Sequence, residues 1–432
     1  MATSLALLLL ASALAYNFTS PSAETYFRFL LSQPSPLQSA AFTYVPEQGV
    51  SIVLTSLVKR TDCVVRCPFQ WVITSADEFA MSAALKHFNQ FEKLAIRMLF
   101  ERYSDFAPPS FTREYIRALP SDFTQPLVWT DADFQLLEEH SLEDTTRDAL
   151  RRFPYSSLQQ RLSQVLTAHP EQPRLPLDRE SVLWAVLTTA SRSFSASKEL
   201  IEVLSVRELS DGDFVFAPFL DTVNHYPLKP SKKKANLSVF AGNFTTSSPT
   251  ICARAVRLQF PGAYFWSYYG DKSNSELLSH YGFTLEFNPE DIFTVRLPLG
   301  KHCSGEDNGE HCVYSIRAGV VDLKLVKDLI SSHSDIAFKE TYTFADICRY
   351  LRSLKNSFPR KGEILSSLRS YRSLLIPQLI GTPLRTLRRL KPQESARRAQ
   401  ILDFSIAQRA GRYAHIQKLE RQLLHLYGAG IV

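Results

Sequence analysis

The chain has 432 residues, 45% of them hydrophobic and 21% charged, with a formal net charge of +6. That length is enough for two domains with ordinary buried cores. The small net charge excludes a polyelectrolyte, and no low-complexity segment or internal repeat is present. At the N-terminus, Leu5 to Leu14 is an apolar run, and Ala13-Leu14-Ala15 has the small-x-small form of a signal-peptidase site. Residues 1–15 therefore read as a secretory leader, although no basic residue precedes the run. The mature chain is expected to start near Tyr16. The run is too short to be a stable membrane anchor. The secretory pathway or endoplasmic reticulum is the expected location, with cytoplasm or nucleus if the leader is not cleaved. The sequons at Asn17, Asn236 and Asn243 add little, because such triplets are common by chance.

Residues 24–75 predict a short helix and then strands, over Val50 to Val58 and Cys63 to Val72. Residues 76–200 predict helices. Phe91, Leu94, Ala95, Met98 and Leu99 fall at helical spacing, and Glu180 to Phe194 is an amphipathic helix ending in a basic residue. Phe214 to Val223 reads as a buried strand entering a turn. Asp221, Asn224 and His225 then stand at an apolar-to-polar edge, and two readings stay open. They line a pocket wall, or they satisfy backbone groups in a tight turn. Tyr264 to Tyr269 is an aromatic run of strand composition ending at Gly270. Ser273 or Asn274 is placed to cap a short helix through Leu277 and Leu278. From Leu323 the pattern is helical to the end. Thr343 to Asp346 has capping-box form, and the last helix carries Ile406, Ala410, Tyr413 and Ile416 on one stripe. Arg385, Arg388, Arg389, Lys391, Arg397 and Arg398 cluster on a solvated helix face or on a docking surface for an acidic partner. The aromatic interleaving that single-stranded nucleic acid requires is missing, so no direct nucleic-acid binding is expected.

The six cysteines are Cys63, Cys67, Cys252, Cys303, Cys312 and Cys348. Cys303 and Cys312 flank a polar loop, and a disulfide between them ranks ahead of free thiols and of a zinc site. The neighbouring His302 and His311 would point away from the cysteines on a strand, which leaves no metal site expected.

Three blocks carry chemistry together. Pro218 to His225 reads P-F-L-D-T-V-N-H, Tyr269 to Asn274 reads Y-G-D-K-S-N, and His280 to Phe283 reads H-Y-G-F. Upstream, Glu180 to Phe194 holds a W-A helix ending in S-R-S-F, and Tyr115 to Trp129 has the form Y-x-x-x-L-P-x-x-F-x-x-P-x-x-W. In this order they resemble a SET-domain protein methyltransferase of the Rubisco large-subunit methyltransferase-like branch, over roughly residues 24 to 427. The resemblance implies an α+β fold. A β-rich SET domain would span 24–300 with a helical insertion over about 76–200. An all-α substrate-binding domain would span 323–432 and dock the protein substrate, on a monomeric chain. The branch includes chloroplast enzymes, so a two-part plastid address is a further alternative for the leader.

The resemblance also implies roles. S-adenosyl-L-methionine is the expected cofactor, with Arg192, Asp221, Asn224, His225, Phe283 and Gly49 around it. Tyr281 is the expected catalytic tyrosine and Tyr269 its companion. Orientation is the better role for Tyr281, since an unperturbed tyrosine titrates near pKa ~10. One departure stands out. The family's first cofactor loop is G-x-G followed by a small residue, whereas this chain has Gly49-Val50-Ser51-Ile52-Val53-Leu54. Tyr226 after the Asn-His pair is a milder departure. Three functions are in play: a protein-lysine N-methyltransferase, a protein-histidine N-methyltransferase, and a degenerate SET-fold binding protein.

Overall fold

The computed structural model describes residues 20–34, 36–45, 48–105, 109–140, 155–196, 213–225, 237–243, 250–255, 257–285 and 288–297, with short pieces elsewhere up to residue 410. The expected leader, Tyr226, Cys303, the 343–354 helix and the basic run from Arg385 lie outside them. So does most of the expected all-α domain; within its last helix, Ile406 and Ala410 are buried.

The described helices are α1 (Pro21–Ser32), α2 (Gln90–Tyr103), α3 (Phe111–Ala118), α4 (Asp131–His140), α5 (Tyr155–Ala168), α6 (Arg179–Arg192) and α7 (Asn274–Tyr281). The strands are β1 (Ala40–Val45), β2 (Gly49–Leu54), β3 (Cys63–Pro68), β4 (Ile73–Thr74), β5 (Ser193–Ser195), β6 (Phe214–Phe216), β7 (Leu237–Asn243), β8 (Thr250–Ala255), β9 (Ile292–Leu297), β10 (Glu306–Asp307) and β11 (Cys312–Arg317). They fall into two compact units. The first takes Met1–Phe123 and Phe153–Gly270, the second Thr124–Arg152 and Asp271–Val432.

The first unit is built from small antiparallel sheets: β1 with β2, β8 between β3 and β7, and β6 between β4 and β5. Helix α1 starts where the Ser20 hydroxyl accepts from the Ala23 amide, with Pro21 at the first helical position. It buries Tyr26, Phe27 and Leu30. Helix α2 carries a full capping box between Asn89 and Glu92. In α6 every residue from Ser181 to Ala190 is buried, so its amphipathic character is weaker than its sequence implies. The Cys63 and Cys252 sulfurs are bonded across β3 and β8, with Cα atoms 5.5 Å apart. The spacing of Cys63 and Cys67 gave no sign of this, because the partner lies 189 positions away. Cys312 is also disulfide-bonded; Cys303, its expected partner, is outside the described residues.

Two local expectations change. The strand expected over Phe214 to Val223 stops at Phe216, because Phe219 turns the chain with φ of 69° into a 3-10 turn over Leu220–Thr222. Tyr264 to Tyr269 is not a continuous strand. Tyr264 bridges to Val53 and Ser267 bridges to His225, so the segment changes partner before a ladder can form.

In the second unit, β9 and β10 flank β11, antiparallel throughout. Trp129, Phe134, Leu278 and Ile401 form a buried cluster. Of the two candidate caps, Ser273 and Asn274, the structure uses Ser273, in a capping box with Glu276.

Candidate active site

Phe219 is the pivot of the first unit's site. Its ring is fully buried, stacked on Phe111 with centroids 5.6 Å apart and edge-on to Tyr115 at 5.1 Å. A positive φ on a bulky residue costs on the order of 1–3 kcal/mol and persists only where packing dictates it. Here it aims the following turn so that Asp221 points inward.

Asp221 anchors a buried polar chain. Arg192, at the end of α6, donates from Nη1 to Asp221 Oδ2 at 2.7 Å. The Tyr115 hydroxyl donates to Asp221 Oδ1 at 2.6 Å. An ionised carboxylate only accepts, so the single Tyr115 proton is committed to it. The Tyr115 oxygen therefore accepts from the Phe219 amide at 3.0 Å and from the Tyr26 hydroxyl at 2.6 Å. The Arg192 guanidinium also lies over the Tyr26 ring, 5.2 Å from its centroid. Burial pushes the Asp221 carboxyl up, and Arg192 and Tyr115 oppose that. Burial works against a charged Arg192, but Tyr26 and Asp221 outweigh it and hold the guanidinium above its ordinary value. Burial raises both tyrosines well above theirs, with the Asp221 charge adding to it. The Asp221 side chain is wholly buried, whereas that of Arg192 is 22% exposed. The guanidinium thus has one end on Asp221, on a side chain that keeps partial exposure.

Asn224 ties this turn to β2. Its Nδ2 donates to the Val50 carbonyl and to Ser51 Oγ, both at 2.9 Å. Ser51, the residue that departs from the glycine loop, is thus a buried acceptor without a positive φ. Leu54 is packed into the core. Gly49 keeps the left-handed conformation, φ 71°, with open space where a side chain would stand.

His225 Nδ1 takes the Tyr269 amide proton at 3.1 Å, which puts the imidazole proton on Nε2. Burial lowers its pKa to about 4, so the ring is neutral at pH 7. The Tyr269 hydroxyl donates to the Val223 carbonyl at 3.0 Å. Of the two open readings of Asn224 and His225, the structure shows that their side chains satisfy backbone groups.

The second unit holds Tyr281 and Phe283, with ring centroids 6.2 Å apart. Tyr281 ends α7, and Gly282 caps it at φ 80° by donating to the Leu277 and Leu278 carbonyls. A Cβ on Gly282 would lie 2.5 Å from Thr124 Oγ1. Asn274, at the start of α7, clamps the chain beyond that helix. Its amide donates to Asp291 Oδ1 at 2.8 Å, its Nδ2 donates to the Leu285 carbonyl at 3.0 Å, and its Oδ1 accepts from the Leu285 amide at 3.0 Å. Burial, and next the Glu276 charge, push the Tyr281 hydroxyl up to about 12. It is a donor at neutral pH and not a base. Among the described residues, no group of His, Cys, Asp and Glu is arranged to hold a metal.

No family model matches the chain. Over 219 residues it is 26% identical to the actin-histidine N-methyltransferase of Mus musculus, covering 48% of this chain and 32% of that protein. Over 185 residues it is 23% identical to the ribosomal lysine N-methyltransferase set10 of Schizosaccharomyces pombe, covering 43% and 30%. The chain thus spans about a third of the length of the curated relatives it matches. The structure of Rubisco LSMT bound to sinefungin and monomethyllysine superposes with a TM-score of 0.59 at 14% identity, over 94% of this chain and 93% of that one. The SET domain of LSMT bound to lysine and AdoHcy gives 0.56 at 16%, over 94% and 92%.

The fold is that of the SET-domain methyltransferases. Within this SET fold the first unit gathers Gly49, Arg192, Asp221, Asn224, His225 and Tyr269, and the second holds Tyr281 and Phe283. Tyr26 and Tyr115 escaped the sequence reading as site residues. Tyr115 opens the Y-x-x-x-L-P element and passed as part of the helical insertion. Tyr26 carried no signal at all.

Proposed function

We propose that the chain is an S-adenosylmethionine-dependent protein-lysine N-methyltransferase. The observation that carries this reading is the Arg192–Asp221 pair in a SET fold, with Asn224 bonded to the strand that Gly49 opens. The chain's residues suit the cofactor. A guanidinium has five donors, so Arg192 can hold Asp221 and still present N–H groups to an amino-acid carboxylate. Open space beside Gly49 lets a ligand approach the backbone. Ser51 and Leu54 are absorbed by hydrogen bonding and packing, which weakens the case for a degenerate binding protein. The bound cofactor supplies an electrophilic sulfonium methyl group. The chain holds the nucleophilic nitrogen in line and excludes water. Tyr281, kept protonated, orients that nitrogen.

The histidine reading is second, supported by the stretch similar to the actin-histidine enzymes. Calorimetry should show S-adenosylmethionine and S-adenosylhomocysteine binding at micromolar affinity or better. Labelled-methyl transfer into lysate, followed by acid hydrolysis, should yield methyl-lysine. Methyl-histidine would select the second reading, and no binding of either cofactor form would overturn both.

We further propose that the region 323–432, expected from its sequence to be helical, docks the protein substrate and that the chain acts as a monomer in an oxidising compartment of the secretory pathway. The apolar leader and the Cys63–Cys252 bond support that location, because such bonds persist where thiols are not kept reduced. No described helix is long and apolar enough to cross a membrane.

A further inference from the structure

Among the described residues, the exposed large apolar side chains are Leu57, Tyr103, Leu258, Phe260, Tyr264 and Ile292. Three of the six, Leu57, Leu258 and Phe260, flank one isolated antiparallel bridge of the first unit, between Val58 and Gln259. That bridge sets Leu57 opposite Phe260 and Lys59 opposite Leu258. Successive side chains point to opposite faces. Val58 is buried and marks the inner face, so Leu57, Lys59, Leu258 and Phe260 have the outer parity. Tyr264 lies past a turn in which the Ala263 amide donates to the Phe260 carbonyl at 3.2 Å. Leu57 is 46% exposed, Leu258 50% and Phe260 64%.

The bridge is held on both sides by backbone hydrogen bonds. Val58 and Gln259 exchange both backbone hydrogen bonds, at 3.0 and 2.9 Å. The Thr61 amide donates to the Ala255 carbonyl at 2.6 Å, and the Cys63–Cys252 bond lies just beyond. The apolar tips therefore stay out in solvent. Lys59, Arg60 and Arg257 are exposed beside them. Asp62 is the one exposed acid in the same turn, and its carboxylate accepts from the Lys59 amide at 2.8 Å.

Three apolar side chains beside one bridge fall well short of the roughly 800 Å² per partner that a stable protein interface buries. A lipid surface sets no such threshold. Each apolar side chain that enters the headgroup boundary, and each cation beside an anionic headgroup, contributes on its own. Aromatic side chains are favoured at that depth.

We propose that this face docks the chain reversibly on an anionic bilayer surface, with Leu57, Leu258 and Phe260 entering the headgroup layer and Lys59, Arg60 and Arg257 meeting anionic lipid. The test is sedimentation of the full chain with vesicles of phosphatidylcholine alone and of phosphatidylcholine mixed with phosphatidylserine. The parent should sediment with the mixed vesicles and far less with the neutral ones. A Leu57→Ser/Leu258→Ser/Phe260→Ser variant should lose about tenfold or more in partitioning. A Lys59→Gln/Arg60→Gln/Arg257→Gln variant should do the same and should also lose the parent's sensitivity to salt. Thermal midpoints of both variants should match the parent's. If the serine variant does not fold, the glutamine variant alone decides. The proposal is overturned if the parent ignores mixed vesicles, if it binds neutral and mixed vesicles equally, or if the folded variants bind as the parent does. Absent lipid binding together with a raised KM for a protein substrate in the serine variant would assign the face to protein recognition instead. Cofactor binding plays no part in these readings, so they stand or fall apart from the methyltransferase assignment.

Discussion

His225 accepts the Tyr269 amide proton and, through burial, has its pKa lowered to about 4. In the unfolded chain the same ring titrates near its ordinary value of ~6.5. The unfolded state therefore takes the proton first as pH falls. The stability contributed by the neutral ring is complete above about pH 6.5 and is lost as pH drops toward 4. After a discount for partial exposure, the loss is on the order of 2 kcal/mol. The parent's melting temperature should fall over that window, and His225→Gln should flatten the fall. An unchanged slope in the variant would remove His225 from this role. Tyr281 gives the second prediction at this scale. Tyr281→Phe should bind cofactor as the parent does and lose at most about 1 kcal/mol of stability. Methyl transfer should fall about tenfold for each ~1.4 kcal/mol of lost transition-state stabilisation. Because the Tyr281 hydroxyl titrates only near 12, the parent's rate should show no tyrosine ionisation below about pH 10. An unchanged rate in Tyr281→Phe would make the residue ordinary packing.

Among the elements, α7 was the most legible and the turn after β6 the least. Ser273 or Asn274 announces a capped helix because capping is local chemistry, and the structure adds Glu276 as the partner of Ser273. The inward turn of Asp221 is not local. It depends on Phe219 taking a left-handed conformation that apolar composition does not signal, imposed by rings from Phe111 and Tyr115 about a hundred positions away. The same distance hid Tyr26, whose partner Tyr115 comes 89 residues later. The Asn224–Ser51 bond explains why the glycine-loop departure reads as a defect in the sequence and as a hydrogen bond in the fold. Gly282 shows the opposite case, where local and tertiary demands coincide. Its φ of 80° disfavours any side chain, and Thr124 Oγ1 occupies the space a Cβ would take. Gly282→Ala should cost about 1 kcal/mol for the backbone alone, and more for the clash. Urea unfolding should show a lowered midpoint with an unchanged slope. A loss below half a kilocalorie would mean that α7 ends differently in solution.

For the whole molecule, the Cys63–Cys252 bond closes a separation of 189 residues. In the chain-entropy view, a loop of that size is worth about 5 kcal/mol. Reduction of the folded protein should lower its melting temperature, and Cys63→Ser/Cys252→Ser should melt below the parent without reductant and respond to reductant less than the parent does, the bond at Cys312 being the remainder. Non-reducing peptide mapping should recover the linked pair. Its absence from protein taken from the native compartment would overturn both the bond and the secretory reading.

The interleaving of the two units has a consequence for biogenesis. The first unit is completed only by Phe153–Gly270, after the chain has already left it to contribute Thr124–Arg152 to the second. At about 5–20 residues per second, a ribosome needs roughly ten to forty seconds between Cys63 and Cys252. Throughout that interval β3 has no β8 to pair with, and the nascent thiol of Cys63 meets Cys67 long before its true partner emerges. Correct pairing therefore waits until Cys252 emerges, and any early Cys63–Cys67 bond has to be exchanged for the Cys63–Cys252 one.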